Sequence, residues 1–286
     1  MTKIFIPPTV RHTAKDRGIG YSIAVSVTGT RCDLLCPHCF AKVLEHMLTV
    51  EQCLEVIREV SVYPRMVLIS GGCDYAGRVP LDTTYRRLVY EAKSRGFIVA
   101  VHTCVTDYSY AKALLELGVD VALIDAEIDY TVLHAIRKLH RYEESILISS
   151  IEGLKRVGVK VYPHIVVGLH PRGRGLEYEV IDILTTIDVD ALSIVVFTPL
   201  PSTPYEYRSY PDKDYVKSVM RYAERRIGKP VSLGCMRPRE WVDLEEYAYE
   251  LGFDAIANPS LRFVDRHRDL DVYNLCCSYI ALDSWD

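Results

Sequence analysis

Eight short runs of apolar, largely β-branched residues recur along this 286-residue chain, and most alternate with a longer amphipathic stretch. The runs lie at 23–28, 66–70, 98–103, 119–124, 160–167, 191–197, 231–234 and 254–257. Apolar residues at helical spacing cover 50–60, 84–95, 110–117, 142–157, 177–187, 212–227 and 239–251. Gly96, Gly118, Gly158, Gly228 and Gly252 stand just past five of those stretches, where a helix commonly stops. Strands joined by crossover helices run parallel. The pattern therefore predicts an α/β fold, a (β/α)8 TIM-type barrel, with a six-strand partial barrel as the alternative. No Gly/Ser/Pro linker or charge run interrupts it, so residues 1–286 read as one domain, with 259–286 as a C-terminal tail. Pro199, Pro201 and Pro204 stiffen the loop after the sixth run.

Composition narrows the class by exclusion. The net charge of −4 gives no basis for nucleic-acid binding. No apolar stretch approaches the roughly 20 residues of a membrane span. Residues 1–8 lack the charged and apolar regions of a secretory leader, which points to a reducing cytoplasm where nine cysteines stay available as ligands. Gln52, Asn258 and Asn274 are the only amides, a depletion of thermolabile side chains that fits a thermophile.

In a barrel of this kind, chemistry belongs at the C-terminal ends of the strands. The cysteines obey that rule. Cys32, Cys36 and Cys39 follow the first run as C-x3-C-x2-C, in Cys-Asp-Leu-Leu-Cys-Pro-His-Cys-Phe. Three thiolates this close can hold three irons of a [4Fe–4S] cube and leave the fourth iron open. Structural zinc would need a fourth ligand, and His38, wedged between Cys36 and Cys39, is poorly placed to be one. Cys73 follows the second run, Cys104 the third and Cys235 the seventh, while Cys276 and Cys277 lie in the tail, expected to fold over the same mouth. Cys53 falls within a helix and reads as a small buried apolar residue. Cys73, Cys235, Cys276 and Cys277 are the expected ligands of a second iron–sulfur cluster, with Ser278 or Cys104 as substitutes if adjacent Cys276 and Cys277 cannot both reach it. Inert buried thiols are the alternative for each taken singly.

The triad resembles the signature of radical S-adenosylmethionine (SAM) enzymes. The resemblance implies that the open iron takes the amino and carboxylate groups of SAM. Gly71 and Gly72, in Ile69-Ser-Gly-Gly-Cys73, resemble the glycine pair that approaches the methionine amino group, although Cys73 replaces the usual acid. By the same resemblance His38 packs near the adenine, Gly168 belongs to an adenine-binding stretch, and Asp125 contacts the ribose. His102 and His170 either line the pocket or cap loops.

Several runs together, Val25-Ser-Val-Thr-Gly-Thr30, His164-Ile-Val-Val-Gly-Leu-His170, Leu233-Gly-Cys-Met-Arg-Pro-Arg239 and Cys276-Cys-Ser278, resemble the biotin-synthase-related radical SAM proteins, one type of which is half of a two-protein lipoyl synthase. That resemblance implies sulfur insertion into an octanoyl chain on a carrier protein or domain, a second radical SAM protein as partner and an electron donor such as ferredoxin. It also keeps Arg237 and Arg239 in reserve as unusual cluster ligands. Two other readings stand beside it: a radical SAM enzyme whose second cluster relays electrons or anchors substrate, and a non-catalytic iron–sulfur carrier.

Overall fold

The computed structural model describes residues 1–8 and 18–282, and ten parallel strands form one sheet that curls into a nearly closed barrel. In chain order they are β1 Lys3–Phe5, β2 Tyr21–Ser26, β3 Arg65–Ser70, β4 Ile98–Thr103, β5 Val121–Asp125, β6 Lys160–Val167, β7 Leu192–Val196, β8 Val231–Leu233, β9 Ala255–Ala257 and β10 Val272–Tyr273. The sheet order is β10-β1-β9-β8-β7-β6-β5-β4-β3-β2. A single bridge between Ile19 and Tyr273 links its two edges.

The eight expected strands are β2 to β9, so the barrel reading holds and the partial barrel does not. The count needs one correction, from eight to ten. β1 inserts between β9 and β10 at the seam. At three and two residues, β1 and β10 are too short to show any alternation.

Helices α1 Val50–Glu59, α2 Thr83–Ser94, α3 Tyr108–Leu117, α4 Ile146–Val157, α5 Glu177–Ile187, α6 Lys213–Ile227 and α7 Val242–Glu250 fall where the spacing places them, and the six-residue α8 Leu261–Arg266 is added. Several of their starts are fixed by side chains that satisfy otherwise orphaned amides. Thr49 and Gln52 form a reciprocal capping box on α1, and Asp82, Asp107 and Asp212 cap α2, α3 and α6. The outer core is the apolar stripe of these helices against outward strand residues such as Val67, Ile69, Val99 and Ile124.

A recurrent device pins the bottom of the barrel. Asp120, Asp190 and Asp254 each precede or open a strand and accept the first or second amide of its neighbour: Val99 N at 2.7 Å, Val161 N at 2.7 Å and Val231 N at 2.9 Å. Each also donates its own amide to the same residue's carbonyl, so strand register is set twice at three seams. Asp190 additionally pairs with Lys155 and Lys160.

The tail is the second correction. After β10 it does not fold over the C-terminal mouth. Leu275, Cys277, Ile280 and Ala281 pack inside the barrel against Met66, Ala100, Val121, Tyr162, Ala191 and Ala255, residues in the N-terminal halves of their strands or just before them. Ile280 borders a cavity with Met1, Lys3, Pro230 and Asp254 at that end. The short 3-10 helix Cys277–Ala281 is thus a plug that shuts the bottom from within.

Because Asp190 accepts a buried amide as a charged group, Asp190→Ala is expected to lower stability by about 2 kcal/mol. Urea unfolding checks this. A loss indistinguishable from zero would mean the pin carries no load.

Candidate active site

The C-terminal mouth is organised by two loops that touch main chain to main chain. The loop after β2 leaves Ser26 with Thr28 Oγ1 donating to Arg31 O at 2.9 Å, and then doubles back through positive-φ residues Leu35, Phe40 and Ala41. Thr28 Oγ1 also accepts Gly72 N at 2.7 Å, and Asp33 N donates to Cys73 O at 2.8 Å. A Cβ at Gly72 would lie 1.9 Å from Arg31 O and 2.5 Å from Cys32 Cβ. Only glycine permits this approach. Gly71 is tight as well, though its nearest neighbours are side chains of Val27, Val79 and Thr28.

These contacts gather Cys32, Cys36 and Cys39 around a cavity of about 140 Å³ whose other walls include His38, Gly71, Gly72, Cys73, His102, Cys104, Asp125 and Arg137. Cys36 and Cys39 share a hydrogen bond that raises the first thiol and draws the second down to about 7. Cys36 Sγ also donates to Arg137 O at 3.4 Å.

Arg137, which the sequence reading did not single out, is a hub. It ends the π-helical turn Val132–Ile136, its amide donating to Val132 O, and its buried guanidinium pairs with Asp125 at 2.5 Å. Burial opposes ionisation of Asp125, but Arg137, His102 and His164 outweigh it and hold the carboxyl below its ordinary range. His102 and His164 stack with ring centroids 5.5 Å apart, and His164 Nδ1 is 4.0 Å from Asp125. Burial pushes both imidazoles down, His164 to about 3, so they stand neutral. His102, Asp125 and His164 could together hold a metal ion, but the Arg137 cation already neutralises their one carboxylate. His164 and Arg137 could not be picked out from the sequence, because only the sheet register and a rare π-turn bring them to Asp125.

Glu127, just beyond β5, is the other residue missed. Burial lifts its carboxyl to about 7. Gly168 and His170 do not line the triad cavity. Gly168 has φ +81° and packs against Pro211, its amide donating to Glu177 at 2.9 Å. His170 caps its own loop by accepting from Arg172 N at 3.1 Å.

The four expected second-cluster ligands are not brought together as a set. Cys73 stands with the triad: its thiol is hydrogen-bonded to Cys104, and Cys32 and Cys36 are its next thiol neighbours. The other three form a separate group, Cys235 just past the C-terminal end of β8 and Cys276 and Cys277 in the segment after β10. Cys276 and Cys277 share a hydrogen bond that draws Cys276 down to about 7 and raises Cys277. After burial, Cys276 is the main influence raising the Cys235 thiol. Cys235 is nonetheless exposed to solvent. Ser278 Oγ reaches Cys276 Sγ at 3.3 Å, and Tyr162, buried below His164, hydrogen-bonds both Cys277 and Ser232. Arg237 is committed elsewhere, buried against Glu245 at 2.6 Å and bonded to Gly234, Ala257 and Asn258 carbonyls. Arg239 holds Cys235 O at 3.0 Å, which fixes that loop. Cys53 is fully buried, as expected.

The mouth fits the group its motif implies. His38 Nδ1, Thr103 Oγ1 and Arg137 Nε are buried without partners. Such orphans are uncommon in a finished site. All three residues line the triad cavity, so a polar ligand entering there would meet them beside three thiols and a glycine cradle.

The chain matches the Radical SAM superfamily over residues 26–187, more than half its length, and it belongs to that family. Its fold is similar to methylornithine synthase (PylB), at 16% identity and TM-score 0.60, covering 85% of this chain and 72% of that one. It is also similar to HydG, a maturase of the [FeFe]-hydrogenase, at 11% identity and TM-score 0.65, covering 97% and 66%. Streptococcus suis SuiB matches at 13% identity and TM-score 0.53, covering 90% and 54%. The chain thus spans just under two thirds of HydG and about half of SuiB. No curated protein matches it. The family implies a [4Fe–4S] cluster and SAM, with Cys32, Cys36 and Cys39 in the motif position. Among the described residues no helix is long and apolar enough to cross a membrane.

Two outcomes follow. Gly72→Ala should fold yet lose SAM binding by at least about tenfold, since one misplaced atom at a near-contact site costs that much. Equilibrium binding to the reconstituted protein reads it, and unchanged affinity would contradict the cradle. For Glu127, the folded carboxyl sits near 7 against an ordinary 4.5, so its contribution to stability is complete below pH 4.5 and lost as pH rises through about 7. Glu127→Gln should therefore gain on the wild type between those pH values, as measured by denaturant unfolding at both ends. A constant difference would show that Glu127 titrates normally.

Proposed function

We propose that this chain is a sulfur-inserting radical SAM enzyme of the lipoyl-synthase type, acting on an octanoyl chain attached to a carrier protein. One observation carries the reading: Cys235 neighbours Cys276 and Cys277, which pack inside the same barrel, and the three stand apart from the triad. Cysteines with only a packing role have no reason to converge. Ser278, already bonded to Cys276, is the fourth donor in this reading, and Cys73 is not part of the set.

When bound at the mouth, the cube and SAM supply a 5′-deoxyadenosyl radical able to take hydrogen from an unactivated carbon. The chain supplies the geometry. Cys32, Cys36 and Cys39 hold the cube, and the Gly71-Gly72 main chain receives the methionine end of SAM. His38 stays neutral, pushed down to about 3 by burial, so its ring can lie against an adenine without a charge penalty. Asp125, fixed by Arg137, presents an ionised carboxylate for a ribose. Between the two thiol groups the lumen wall carries neutral His102 and His164 and then Tyr162. A cluster held by Cys235, Cys276 and Cys277 would supply the sulfide. The tail plug closes the bottom and keeps water from the reactive carbon. A second radical SAM protein to complete the reaction and a ferredoxin-type donor belong to the same proposal.

The test is iron and sulfide analysis of the anaerobically reconstituted triple variant Cys32→Ala/Cys36→Ala/Cys39→Ala. About four irons should remain, the content of one cube. The wild type, given its partner and an octanoylated carrier peptide, should form a thiolated product whose sulfur comes from protein-bound sulfide. An iron-free triple variant, or hydrogen abstraction from the octanoyl chain without sulfur transfer, would refute the sulfur-insertion reading.

A further inference from the structure

Five thiols, not three, line the triad cavity: Cys32, Cys36, Cys39, Cys73 and Cys104. The motif accounts for three of them, and the second thiol group uses neither of the others. Cys73 and Cys104 are not sequestered core residues. Both are partly accessible at the cavity wall, whereas Cys53 is fully buried behind the barrel.

The position of Cys73 is fixed from both sides. Gly72 N is held by Thr28 Oγ1 at 2.7 Å, and Cys73 O is held by Asp33 N at 2.8 Å. Cys32 and residue 73 are thereby held side by side, with the Gly72 main chain close against Arg31 and Cys32. The Cys73 side chain lies among thiols, on the cavity wall that Cys32, Cys36, Cys39 and Cys104 share and in one packed cluster with Cys32, Cys36 and Cys104. Cys104 comes from the adjacent strand, three residues past Val101, which pairs with Ile69.

We propose that Cys73 is a fourth, exchangeable thiolate ligand of the cube, occupying its open iron until SAM displaces it, and that Cys104 receives the thiol when it leaves. This rests on the triad holding a cube. The exchange balances: the iron–sulfur bond to Cys73 breaks as SAM's nitrogen and carboxylate bond to the iron. The proton that SAM's ammonium must lose to bind through nitrogen passes to the Cys73 thiolate. Cys104, on the same cavity wall and on the neighbouring strand end, is placed to hydrogen-bond the freed thiol. The iron is never left open to oxidants, and no electron changes hands.

The experiment uses the full chain, reconstituted anaerobically with 57Fe and sulfide and free of SAM. Mössbauer spectra should show four equivalent cysteine-ligated irons in the wild type and one distinct iron in Cys73→Ala. Adding SAM to the wild type should create the distinct site. Mild ferricyanide oxidation should convert Cys73→Ala to a three-iron cluster in about tenfold greater yield than the wild type, because an iron without a thiolate is the one lost. Cys104→Ala should behave as the wild type before SAM is added. If Cys73→Ala takes up no iron, Cys73→Ser replaces it, and its weaker ligand should give an intermediate yield. A wild type that already shows a distinct iron without SAM, or a response confined to Cys104→Ala, overturns the proposal. A wild type that binds no iron would instead overturn the cube reading beneath it.

Discussion

The mouth of this barrel depends on one contact, the main chain of Gly72 lying against Arg31 and Cys32. The β2 and β3 loops would otherwise be independent excursions. Their contact, reinforced by Thr28 and by the Asp33–Cys73 bond, makes a single rigid cradle from which the thiols project. Preorganisation of this kind matters most where a reactive species must form close to its target. The rest of the barrel serves that cradle: three aspartates fix strand register at the bottom, and strand ends bring His102, Cys104 and Asp125 beneath it.

The interior reads as a graded column. Thiols and the ionised Asp125–Arg137 pair occupy the top, neutral stacked histidines the middle, and Tyr162 with Cys277 the bottom. The tail makes this possible by entering from below. A tail folded over the upper mouth would have crowded the triad cavity; as a plug it places Cys276 and Cys277 inside and seals the lower end.

Much of this was legible in the sequence. The eight principal strands and seven helices follow from periodicity, and the triad from its spacing. What escaped had physical reasons. β1 and β10 are too short for a pattern, yet they carry the seam through which the tail enters. The direction of the tail depended on Leu275 and Ile280 finding the bottom of the lumen, and no local signal separates one end of a barrel from the other. Cys73 looked equivalent to Cys235 because both follow strands; only the Gly72 contact reveals that it belongs to the triad. Arg137 and His164 became visible only through sheet register and a π-turn.

Everything proposed for this mouth requires that its three thiols hold a cube that binds and cleaves SAM. The most direct measurement is 5′-deoxyadenosine formation by the dithionite-reduced, anaerobically reconstituted wild type supplied with SAM. The account predicts formation that requires reduced cluster. A protein that carries its full complement of iron, is fully reduced, and yields no 5′-deoxyadenosine would contradict it and leave an iron–sulfur carrier in its place.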